Sequence, residues 1–178
     1  MKTHNRSRRS IRLKHYDYSQ SGWYFITICT AQRLCLFGEI VDGNMIPNAF
    51  GKIAIAQWQH SATLRQEITF DAWVLMPNHI HSIVVISQHR NPTNNAKYGG
   101  FAKRKPKSLS TFVSGFKGAT TRQINHLRNS PGGTIWQRNY YEHIIRNETA
   151  LTQIRDYIAT NPMRWTDDQL HPNNPSKW

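Results

Sequence analysis

Phe70-Asp71-Ala72-Trp73-Val74-Leu75-Met76-Pro77-Asn78-His79-Ile80-His81-Ser82-Ile83-Val84-Val85-Ile86 decides how this chain is read. Residues 70–76 and 80–86 are two apolar runs of strand length, with Met76-Pro77-Asn78 between them. Runs this short, rich in β-branched and aromatic residues, suit strands better than helices. So tight a connection predicts that the two strands pair as antiparallel neighbours. His79, His81, Ile83 and Val85 are two apart, and side chains two apart on a strand share one face. A histidine pair that continues into apolar residues predicts that this face is covered, by a helix.

Outward from this stretch, strands and helices alternate. Residues 23–30 read as a strand, and 36–46, with Asp42-Gly43 at its centre, as a hairpin. Pro47 suits the first turn of a helix, and Phe50, Ile53, Ala54, Trp58 and Ala62 then follow helical spacing. Leu109, Phe112, Val113, Phe116, Ile124 and Leu127 mark a second helix with Ser108 as its N-cap, ended by Pro131-Gly132-Gly133. A fourth strand is expected within 136–145. Asn147 caps a last helix with apolar positions Leu151, Ile154 and Ile158, which Pro162 ends or bends. This order predicts an α+β fold, a ferredoxin-like sandwich with one central antiparallel sheet and helices packed on it. The expected organisation is a basic N-terminal arm over 1–20, a single domain over 21–165 and a C-terminal tail over 166–178.

The chain has 178 residues, with 23 Lys and Arg against 10 Asp and Glu, a formal charge of +13. A domain this basic meets a polyanion, with nucleic acid ahead of an anionic membrane surface or a ribosome-like assembly. The charge is concentrated. Lys2, Arg6, Arg8, Arg9, Arg12 and Lys14 stand against one acid, Asp17, in the arm. Arg90, Lys97, Lys103, Arg104, Lys105 and Lys107 fall in 88–107, which holds no acid and reads as a long mobile loop. Either run alone suits a solvated segment; two on one small domain favour phosphate contacts. No stretch approaches the roughly 18 apolar residues of a membrane span, and the basic N-terminus lacks the apolar centre of a secretory signal. Cys29 and Cys35 form no CxxC pair and are too few for a disulfide framework, so a reducing cytoplasm is the expected compartment.

Two imidazoles on one strand face can share a metal ion, or they can be two histidines with separate local hydrogen bonds. The chain has nine histidines, so the pattern alone does not decide. There is no HExxH and no adjacent cysteine or carboxylate cluster of a zinc hydrolase. Two imidazoles and an oxygen ligand suit Mg²⁺ or Mn²⁺ acting on a phosphodiester. The last helix reads Ile154-Arg155-Asp156-Tyr157-Ile158-Ala159-Thr160-Asn161-Pro162. Tyr157 and Asn161 are four apart and face one way. Either Tyr157 is a nucleophile and Asn161 an amide ligand to a hard metal, or Tyr157 is a core aromatic and Asn161 a C-cap before proline.

Four segments in order resemble one family. Trp73-Val74-Leu75-Met76-Pro77-Asn78-His79-Ile80-His81 resembles the strand-turn-strand motif of the single-tyrosine HUH transposases, most closely the REP-associated tyrosine transposase branch. Ser108-Leu109-Ser110 to Phe116-Lys117 is similar to that family's second helix. Trp136-Gln137-Arg138-Asn139-Tyr140-Tyr141-Glu142-His143-Ile144-Ile145-Arg146-Asn147 resembles its aromatic block, and Tyr157 to Asn161-Pro162 its tyrosine helix. The resemblance spans 24–165 and implies roles. His79 and His81 match the metal-binding histidines, Tyr157 the nucleophile and Asn161 the third ligand, where many relatives carry Gln. Tyr140 and Tyr141 match the aromatic block and are set aside as nucleophiles. The implied activity is cleavage and rejoining of single-stranded DNA through a 5′-phosphotyrosine, with Mg²⁺ or Mn²⁺. The implied partner is REP-like hairpin DNA, and the implied state a monomer. Phosphate contacts are expected from Arg8, Arg9, Arg12, Lys103, Arg104, Lys105, Lys107, Lys117, Arg122, Arg138 and Arg146. Trp136 is either a stacking platform for unpaired bases or a core residue. The rival classes are a non-catalytic hairpin-binding protein and a metal hydrolase without a covalent tyrosine.

Overall fold

Nine regular elements follow one another among the residues described, 16–87 and 108–174 of a computed structural model. They are β1 (Gly22–Cys29), β2 (Gly38–Val41), β3 (Asn44–Pro47), α1 (Ala49–Thr63), β4 (Ile68–Met76), β5 (His79–Ile86), α2 (Leu109–Leu127), β6 (Tyr141–Ile145) and α3 (Glu148–Thr160). β1, β4, β5 and β6 form one sheet in the order β4-β5-β1-β6, with every pairing antiparallel. β2 and β3 form a separate hairpin. The architecture is the expected α+β sandwich.

Alternation decides what each face carries. From β1, Tyr24, Ile26 and Ile28 join Ile80, Val84 and Ile86 of β5 on one face, under α1 and α2. Trp58 of α1 fills its centre, stacked on Phe70 at 4.6 Å and edge-on to Phe116 at 4.8 Å. From the same strands, Trp23, Phe25 and Ile83 point the other way and meet Leu151, Ile154 and Ile158 of α3. The helix expected over the histidine face is therefore α3.

Local chemistry explains the boundaries. Asp42 and Gly43 take positive φ angles of 48° and 73°, which a two-residue hairpin turn requires. Ser108 caps α2 and Asn147 caps α3, the Asn147 side chain accepting from Ala150 N at 2.8 Å. α3 stops at Thr160, and Pro162 opens a short 3-10 turn over Pro162–Asp167. One expectation is corrected. Pro47 is the last residue of β3, opposite Gly38, and not the start of a helix. Asn48 is the N-cap of α1, accepting from Gly51 N at 3.0 Å, a stronger start signal than the proline beside it. The fourth strand falls within 136–145 as expected: β6 occupies its second half, and Trp136 ahead of it makes an isolated bridge to Thr30.

Candidate active site

Strand β5 carries the site. His79 pairs with Cys29 and Met76 across the sheet, and His81 with Thr27 and Val74. Both imidazoles point to the α3 side and are almost fully buried, their ring centroids 4.3 Å apart. Phe25 stacks on His81 at 5.4 Å, and the Trp165 ring stands 6.0 Å from His79.

The hydrogen bonds fix the histidine orientation. Asn78 Nδ2 donates to the carbonyls of Arg33 and Leu170, at 3.0 and 2.8 Å. Its Oδ1 is thereby left as an acceptor, 2.7 Å from His79 Nδ1. His79 must then donate from Nδ1, and Nε2 carries the lone pair. That nitrogen is buried and has no partner among the described residues. Burial pushes the His79 pKa down to about 3, with the Asn161 side chain opposing, so the ring is neutral near pH 7. His81 also lies well below the usual histidine value, through burial and then the nearby His79. Its Nδ1 is 2.8 Å from Thr27 Oγ1.

α3 brings the second half. The Tyr157 hydroxyl stands 3.1 Å from His81 Nε2 and 3.5 Å from Asp168 Oδ2. Burial, then the Asp168 charge, holds the phenol well above its usual pKa. Asn161 is the C-cap residue of α3, through its backbone N–H. Its side chain does something else. Asn161 Nδ2 donates to Asp168 Oδ2 at 2.9 Å, which turns Oδ1 the other way, buried and without a partner among the described residues. The two sequence readings of Asn161 therefore coexist: the backbone caps, and the amide oxygen is free to bind.

Asp168 is the member that the sequence reading missed. It lies in the segment set apart as a C-terminal tail, yet it is buried, and its ligand atoms with those of His79 and His81 all lie within 4.8 Å of one another. Arg164 is a second omission. With Tyr157, Asn161, Asp168 and Gln169 it lines a cleft of about 430 Å³ that opens onto the tyrosine. The segment after α3 offers no periodicity, and only an acid close to the Tyr157–Asn161 pair hinted at a role.

The remaining candidates are scattered. Arg8, Arg9, Arg12, Lys103, Arg104, Lys105 and Lys107 lie outside the described residues. Trp136 is in the main core, 6% exposed and packed on Phe37 and Phe116, so its ring is the core residue of the two readings and is not open to a base. Lys117 Nζ donates to the carbonyls of Gln137 and Asn139, at 3.0 and 3.1 Å, and burial lowers its pKa to about 8. It fastens the segment before β6 to α2. Arg122 is exposed on α2, across the sheet from α3, and Arg138 and Arg146 are exposed on either side of β6. Tyr140 packs against the main core, away from His81, while Tyr141 meets Phe25 edge-on. Burial pushes the Cys29 thiol up to about 11, so it offers no thiolate near neutral pH.

The site fits a divalent cation. The bare lone pairs of His79 Nε2 and Asn161 Oδ1 are buried acceptors with no donor, a costly arrangement that a cation relieves.

A solved structure described as a REP-associated tyrosine transposase bound to a REP hairpin superposes with a TM-score of 0.59, over 94% of this chain and 91% of that one, at 18% identity. The chain thus has the fold of that transposase. In sequence it is 39% identical over 169 residues, 92% of this chain and 93% of the other, to a protein of Haemophilus influenzae described as uncharacterized, and it belongs to the same family as that protein. It is also 24% identical over 156 residues, 83% of this chain and 74% of the other, to a candidate REP-associated tyrosine transposase of the same organism. Both findings agree with the resemblance read from the four motifs: the chain is similar in sequence to a candidate REP-associated tyrosine transposase and shares the fold of a solved one. No family model matches the chain. No described helix is long and apolar enough to cross a membrane.

Proposed function

We propose that this chain is a metal-assisted transposase that cuts and rejoins single-stranded DNA next to REP-like hairpins. One observation carries the reading: the Tyr157 hydroxyl meets His81 Nε2 at 3.1 Å, beside the bare acceptors of His79 and Asn161. His79, His81 and Asn161 would hold Mg²⁺ or Mn²⁺, which supplies positive charge to an oxygen of the scissile phosphate.

The chain's own groups do the rest. Tyr157 is held on a helix whose packing and capping fix its direction. Its oxygen attacks phosphorus, a 5′-phosphotyrosine bond forms, and the bond to the departing 3′ oxygen breaks to leave a 3′-hydroxyl. The covalent link keeps the phosphodiester energy, so attack by another 3′-hydroxyl restores DNA and frees the tyrosine. Burial favours the neutral phenol, so reaction requires positive charge to enter the site. The cleft beside Tyr157 is placed for an unpaired strand, with Arg164 to meet a phosphate. The basic runs, with Arg138 and Arg146, hold the hairpin through its backbone. Because α3 packs on the sheet of its own chain, one copy carries both halves of the site, which supports a monomer, and the compartment we propose is the cytoplasm.

The test is cleavage of hairpin single-stranded DNA in Mg²⁺ or Mn²⁺ by the parent and by Tyr157→Phe. The parent is expected to cleave and Tyr157→Phe to bind without cleaving. Cleavage by Tyr157→Phe refutes the covalent step. Binding without cleavage by both favours the non-catalytic hairpin binder.

A further inference from the structure

We infer that Asp168, supplied by the chain beyond α3, is a fourth ligand of the cation site. The inference rests on the metal reading above and extends it to a residue outside the histidine and tyrosine motifs.

Three observations lead to it. First, Asp168 is a carboxylate at 7% exposure, and its ligand atoms with those of the two imidazoles lie within 4.8 Å of one another. Second, the groups around it do not neutralise it. Leu170 N donates to Oδ1 at 2.6 Å and Asn161 Nδ2 to Oδ2 at 2.9 Å, while Tyr157 contributes a long contact at 3.5 Å. All are neutral donors, and His79 Nε2 and Asn161 Oδ1 add two bare lone pairs. Lone pairs converging in a dry site repel, and a cation turns that repulsion into attraction. Third, the segment is held in place for this. The Leu170 carbonyl accepts from Asn78, the residue that orients His79, and Asn174 Nδ2 donates to the Asp168 carbonyl at 2.8 Å. One asparagine therefore couples the position of the carboxylate to that of the first imidazole.

The resulting donor set is two imidazole nitrogens and two oxygens, with one negative charge. Oxygen donors raise the preference for Mg²⁺ or Mn²⁺ over softer ions. One carboxylate also leaves a bound divalent ion net positive, which suits it to a phosphate.

A residue that only orients Asn161 and Tyr157 would also affect metal affinity, so the test must report ligation itself. Calorimetric titration of the full chain with Mn²⁺, without DNA, is expected to show one site in the parent, lost in His79→Ala. Asp168→Asn is expected to weaken it by at least about 10-fold. Asp168→Cys exchanges the carboxylate for a thiol. It is expected to move preference toward Cd²⁺ by at least about 10-fold and to give a thiolate-to-Cd²⁺ ultraviolet band that the parent lacks. Glu39→Gln, an exposed acid of the β2–β3 hairpin, is the control. If Asp168→Asn binds Mn²⁺ like the parent, or folded Asp168→Cys binds Cd²⁺ without the band, Asp168 is not a ligand while the cation reading survives. If the parent binds no Mn²⁺, both fall together.

Discussion

The two faces of the sheet differ in what they bury. Under α1 and α2, nineteen buried apolar residues form one continuous core. Under α3 a smaller cluster of buried apolar residues, Ile83, Ile145, Leu151 and Ile158, stands with Met76 beside His79, His81, Asn161 and Asp168. Burying polar groups costs free energy unless each has a partner; among the described residues two acceptors in this one site have none, whereas the unpartnered groups of the main core include the separate indole N–H donors of Trp58 and Trp136. The first face is therefore the foundation of the fold, and the second tolerates an arrangement that is useful only when a ligand arrives. Substitutions on the first should remove the protein, and those on the second its chemistry.

The sharpest break is Tyr157→Phe. Cleavage of hairpin DNA should fall by at least about 10⁴-fold, roughly 5.5 kcal/mol of barrier. Stability in urea should stay within about 1 kcal/mol, since one hydroxyl and its hydrogen bonds are lost. A large loss of stability would erase the distinction between the faces. Next is Trp58→Ala, which empties the stack on Phe70 and Phe116 and should cost about 3–5 kcal/mol by urea denaturation. Ile158→Ala, in the small core, should cost nearer about 2 kcal/mol, because fewer neighbours surround it. The smallest effect belongs to Asp71→Ala. Asp71 receives two hydrogen bonds from Arg155, at 2.8 and 2.7 Å, but Arg155 is 40% exposed. That pair should contribute little to stability in urea, and less as salt is added.

Legibility follows the same division. Elements with a period could be read: the apolar face of α2, the caps Ser108 and Asn147, and the strand face that carries His79 and His81. So could the frame of the site, because two residues apart on a strand and four apart on a helix are geometric statements. Asp168 could not. It stands after a proline, in turns that set no period, and the two imidazoles beside it come from a strand far off in sequence. Leu170 O bonds Asn78 across 92 positions. Trp136 was undecidable for a related reason: in an irregular segment, nothing local distinguishes a core indole from an open one.

The central claim is that Tyr157 becomes joined to DNA. The parent protein, mixed with hairpin single-stranded DNA and Mn²⁺, then denatured and digested with trypsin, tests it directly. The account predicts a nucleotide on the peptide spanning 156–164, whose single tyrosine is Tyr157, and a free 3′-hydroxyl on the other fragment. A nucleotide on the peptide carrying Tyr140 and Tyr141, or cleavage with no protein-linked nucleotide at all, would contradict it.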